Sequence, residues 1–138
     1  MADTTFTKEE KAAIKAAVAE KKAMQAGADA AAACEEAIAA MTGTDKELAE
    51  AFHRLVKENT SLAAKTWYGM PAYADADGRT VVAFKPGSKF KIRYATLEFQ
   101  QAATLDDGNL WPVGYALTKL DAQDEERVAQ LLRAAVGS

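Results

Sequence analysis

Apolar positions recur at helical spacing at both ends of this chain and alternate at strand spacing in its middle. Thr7 followed by Glu10 fits a capping box, in which a hydroxyl and a carboxylate each satisfy an orphan backbone amide. Ile14, Val18 and Met24 then fall on roughly one side, predicting a first helix over about 8–25, with Gly27 as its stop. Cys34, Ile38 and Met41, spaced i, i+4 and i+7, form the apolar stripe of a second helix that Gly43 ends. Thr44 with Glu47 repeats the capping box. Leu48, Ala51, Phe52, Leu55 and Val56 then make the most regular amphipathic pattern in the chain, a third helix.

After Asn59 the texture changes. From Lys65 to Leu120 aromatic and β-branched residues are broken by turn signals at Gly69 to Pro71, Asp77-Gly78, Pro86-Gly87 and Asp107-Gly108. Asp77-Gly78, between Tyr73 and the run Thr80 to Phe84, reads as a hairpin turn, since glycine tolerates the positive φ such a turn demands. Asp121 can cap a last helix whose Val128, Leu131, Leu132, Ala135 and Val136 share one stripe, with Asp124, Glu125 and Glu126 suiting its positive N-terminal dipole. Three N-terminal helices, a strand block and one C-terminal helix imply an α+β domain, an antiparallel sheet with helices packed on one face.

At 138 residues and 49% hydrophobic content the chain suits one domain with one core. Its single Cys34 cannot form an internal disulfide, and no secretory signal pattern opens the sequence, so a reducing cytoplasm is the expected setting. A net charge of -3 and the lack of a long apolar run predict neither a nucleic-acid nor a membrane partner.

The stretch Lys65-Thr66-Trp67-Tyr68-Gly69-Met70-Pro71-Ala72-Tyr73 is the most constrained in the chain. Further blocks follow at Val81 to Phe84, Lys89 to Leu97, Leu105-Asp106-Asp107-Gly108 with Trp111-Pro112, and the closing helix from Asp121 to Val136. In these blocks the sequence resembles the YdhG-like family, intracellular bacterial domains of unknown function grouped with YjbR/CyaY-like and, more distantly, frataxin-like folds. The resemblance implies a family core over 44–136 preceded by a helical extension over 1–43. Through the frataxin-like members it also implies iron handling as an alternative function, with iron as cofactor. Against that, the first helix mixes Glu9, Glu10 and Glu20 with Lys8, Lys11, Lys15, Lys21 and Lys22, where those members carry an acidic helix.

No Gly-rich phosphate loop, Cys-x-x-Cys, His-Glu-x-x-His or Gly-x-Ser-x-Gly is present, and one His with three Ser residues supplies few parts for nucleophilic catalysis. A binding role without catalysis or cofactor is therefore expected. From Gly78 to Leu97 the chain carries Arg79, Lys85, Lys89, Lys91 and Arg93 and no acidic residue. Read as a strand, this segment sends Phe90, Ile92 and Tyr94 to one face and Lys89, Lys91 and Arg93 to the other. Such a face is either a solvated edge guarded by charge or an anion site for a small anionic ligand or an acidic protein surface, with Trp67, Tyr68, Tyr73 or Trp111 available to stack on it. The aromatics have a second reading as core; alternation then makes Trp67 buried and Tyr68 exposed. For iron, the candidates are Glu50 and His53, at i and i+3 on the third helix, with Asp106 and Asp107; His53 also reads as an edge-packed side chain, and Cys34 as a buried small hydrophobe. The Ala-rich N-terminal helices could equally supply an assembly surface, leaving monomer and homodimer both open.

Overall fold

Only two helices precede the strands in the computed structural model, which describes residues 7–137: α1 spans Lys8–Ala39 and α2 Gly43–Asn59. Thr7 caps α1, its hydroxyl accepting the Glu10 N–H at 3.1 Å. The expected break at Gly27 does not occur. One glycine costs a helix about 1 kcal/mol, and the surrounding alanines are the best helix formers, so the stretch carries it through. The break falls instead after Ala39, where Gly43, at φ +57°, turns the chain into α2. Thr44 does not cap α2; the cap position is Thr42, and it makes no side-chain capping bond.

Every described residue of α1 before Ala30 is exposed, Ile14 and Val18 at 48% and Met24 at 75%. Only the last third of this helix, about 48 Å long at 1.5 Å per residue, packs on the domain, through Cys34 and Ile38. α2 buries Leu48, Ala49, Phe52, Leu55 and Val56, close to the stripe read from the sequence.

The strands form a five-stranded antiparallel meander in sequence order: β1 (Ala63–Trp67), β2 (Met70–Ala74), β3 (Thr80–Lys85), β4 (Ala95–Phe99) and β5 (Gly114–Leu117). Tyr68 and Gly69 turn β1 into β2, both at positive φ, and Gly78 at φ +80° serves the β2–β3 hairpin as expected. Register pairs Tyr73 with Val82, Val82 with Phe99, Phe84 with Leu97, and Leu97 with Tyr115, placing these side chains on one face. That face meets the helices: the Phe52 ring stands edge-on to Tyr73, 5.6 Å between centroids, and stacks on Phe84 at 6.3 Å. The third helix, α3 (Ala122–Ala135), opens on a capping box between Asp121 and Asp124 and adds Val128, Leu132 and Ala135 to the same hydrophobic cluster.

Candidate functional site

The cationic segment is a loop, not a strand. After β3, Ser88–Phe90 form a single 3-10 turn and Lys91 adopts a left-handed conformation at φ 56°, so strand alternation fails between Lys89 and Tyr94. Two ties explain this. The Gly87 carbonyl accepts the N–H groups of both Phe90 and Ile92, closing the turn. From across the fold, the Asp45 carboxylate in the first turn of α2 accepts the Gly87 and Ser88 N–H groups at 3.0 and 3.1 Å. Gly87 is required by space alone, because a Cβ there would stand 2.6 Å from the Tyr94 carbonyl oxygen and 2.8 Å from that of Ile92.

The loop displays its cations. Lys89 and Lys91 are exposed, as is Arg93, and none of the three forms an ion pair among the described residues. Two of them lie over rings: Lys89 is 5.8 Å from the Phe90 centroid and Arg93 is 5.3 Å from that of Tyr94. Lys85, by contrast, pairs with Glu98 at 3.8 Å, and Arg79 with Asp75 at 3.0 Å. Two shallow cavities flank the Asp45 tie. One, about 320 Å³, is bounded by Thr44, Ser88, Arg93, Tyr94 and Thr118. The other, about 330 Å³, lies between Met41, Thr42, Gly69, Ser88 and Lys89. The sequence marks Asp45, Ser88 and Thr118 for no role and Thr44 only as a helix cap; the Pro86-Gly87 turn was the available signal, but its partner on α2 lies 42 positions away.

The remaining candidates disperse. Tyr68 is 80% exposed at the β1–β2 turn, beside the Trp67 ring at 5.0 Å. Trp67 is half-buried rather than core: it pairs with Met70 on the sheet face away from Tyr73. Trp111 is half-buried and Phe90 is exposed, so the aromatic core consists of Phe52, Tyr73, Phe84 and Phe99. Asp106 and Asp107 are exposed in the β4–β5 connection, while Glu50 and His53 border a separate cavity with Glu35 and Lys46. Among the described residues no three His, Cys, Asp or Glu side chains gather closely enough to hold a metal ion.

Tyr73 does not line a surface site; it anchors a buried polar contact. Its hydroxyl lies 2.9 Å from His53 Nδ1 and 4.0 Å from Cys34 Sγ. Burial pushes the Tyr73 phenol and the Cys34 thiol up in pKa and the His53 imidazole down, so each is held neutral. The other ring nitrogen of His53, Nε2, is buried without a hydrogen bond among the described residues, 3.9 Å from a Glu35 oxygen.

Comparison with protein-family models, curated proteins and solved structures finds no match to this chain.

Proposed function

We propose that this chain is a non-enzymatic, cytoplasmic binding domain of the YdhG-like kind, and that it takes a small anionic ligand between the first turn of α2 and the Pro86–Tyr94 loop. The observation carrying this reading is Arg93. It borders a cavity of about 320 Å³ without a carboxylate partner among the described residues, and the hydroxyl-bearing Thr44, Ser88 and Thr118 border the same space. A guanidinium with neighbouring hydroxyl donors is the equipment that recognises phosphate or carboxylate. The α2 N-terminus adds its positive dipole end, with no side chain capping it. Asp45 opposes an anion less than its charge suggests, because both of its oxygens already accept backbone amides. Lys89, on the neighbouring cavity, extends the positive field to the Tyr68–Gly69 turn: its Nζ lies 3.3 Å from where a Gly69 Cβ would stand.

Inorganic phosphate is the probe. At about tenfold its dissociation constant it should stabilise the wild type by roughly 1.4 kcal/mol, a rise of about 3–6 °C in melting temperature for a domain of this size. Arg93→Gln should lose that rise, and Lys91→Gln, which borders neither cavity, should keep it. An equal rise in wild type and Arg93→Gln would defeat the reading.

A further inference from the structure

The sheet has two edges, and they are treated differently. β1 carries Lys65 within the strand and lies alongside the anchored end of α1. β5 has no charged residue and no proline in Gly114–Leu117, and among the described residues no strand lies beyond it. Charge, proline or cover are the usual protections of an edge, and here only its shortness remains.

The backbone of β5 is also set to receive a partner. The Phe99 N–H donates to the Val113 carbonyl at 2.7 Å, and register continues through Leu97 with Tyr115 and Ala95 with Leu117. In an antiparallel ladder alternate residues bond to the same neighbour, so the N–H and C=O groups of Gly114 and Ala116 point away from β4. Both residues are exposed, and neither has a side chain large enough to hold another strand away. On the helix side, a groove of about 360 Å³ runs between β5 and α3, floored by Tyr115, Leu117, Leu120, Val128 and Leu131.

Charge at the groove selects the partner. Lys119 and Arg127 border it, and neither forms an ion pair among the described residues. The one bordering carboxylate, Asp124, already accepts the Asp121 N–H in the α3 capping box. A second copy docked by two-fold symmetry would bring the same cationic groove against itself. A strand with alternating acidic and apolar side chains would instead set its apolar members in the groove and its carboxylates at Lys119 and Arg127.

We propose that the outer edge of β5, with the groove between it and α3, docks an extended acidic peptide of a partner protein as a sixth strand. Main-chain bonds to Gly114 and Ala116 supply attachment, and the groove and its cations supply selectivity. This surface is separate from the Arg93 cavity, although Leu117 and Thr118 border both.

The test uses fluorescence anisotropy of a short labelled peptide alternating glutamate and valine, with a lysine–valine peptide as its counterpart. The full chain should bind the acidic peptide saturably and the basic one at least about tenfold more weakly. Ala116→Pro removes an outward N–H that β4 does not use, a change edge strands tolerate, and should cost the acidic peptide about tenfold or more. Lys119→Glu with Arg127→Glu alters only surface charge and should cost a similar factor, so the result does not hang on one variant folding. Arg93→Gln should bind the peptide as wild type does, which separates this outcome from that of the phosphate experiment. Equal affinity for the two peptides, undiminished binding by Ala116→Pro, or no saturation up to about 1 mM would overturn the proposal. So would a concentration-dependent dimer in sedimentation that Ala116→Pro abolishes, since the edge would then pair with a second copy.

Discussion

His53 shows how far a single residue's role depends on contacts the sequence does not display. Its place beside the apolar stripe of α2 was legible, and edge packing was expected; its bond to Tyr73 was not, because the two lie 20 positions apart on a helix and a strand. Burial, followed by the positive charge of Lys57, depresses the imidazole pKa below its ordinary 6.5, and Glu35 opposes this only in part. The unfolded chain therefore binds a proton on falling through pH 6.5 that the folded one does not yet bind, so stability present above that pH is lost as pH falls toward the folded pKa. Urea unfolding at steps between pH 7.5 and about 5 should show this decline, and His53→Gln should flatten it. Gly87 makes a second residue-scale case. It reads as a turn glycine, but its φ is negative and the constraint is the two carbonyl oxygens that a Cβ there would strike. Gly87→Ala should destabilise by roughly 1–3 kcal/mol, and a change below a few tenths in chemical denaturation would show that the loop yields instead.

Among the elements, amphipathic helices with strong stripes were readable and glycine punctuation was not uniformly so. Leu48 to Val56 and Val128 to Ala135 behave as their spacing implies, because a half-buried helix must satisfy one face. Gly27 misled because helix stops depend on competing interactions, and an exposed glycine among alanines meets none. The segment Lys89 to Tyr94 misled for the opposite reason. Its alternation is real in the sequence, yet Asp45 bonds two consecutive amides and commits the backbone to a turn. In α1, Lys8 to Asp29 contribute helix without contributing core. A chain starting at Asp29 should keep its unfolding free energy within about 1 kcal/mol of the full chain while losing much of its helical circular dichroism signal. A larger loss would mean that the exposed turns brace the domain.

At the level of the whole molecule, the α+β class and the antiparallel sheet were legible because turn signals and the segregation of helices from strands constrain the class of fold strongly, whereas the strand order was not read. The candidate site was legible only in its cations: Lys89 and Arg93 meet the cavities, whereas Tyr73 went to the core and Trp67 to the other face of the sheet. One hydrophobic cluster joins the end of α1, α2, the sheet and α3. In the chain starting at Asp29, the fluorescence of Trp67 and Trp111, which adjoin the two opposite edge strands, should follow the same urea transition as far-UV circular dichroism. Two separated transitions would divide the core. Cys34 adds something of a different kind, because it is the only sulfhydryl, completely buried, and pressed from α1 toward Tyr73 on β2. A thiol-specific dye can reach it only when helix and strand part company. The pace of its modification therefore keeps time for that parting, and an unmodified protein carries its own stopwatch for how often the sheet is uncovered.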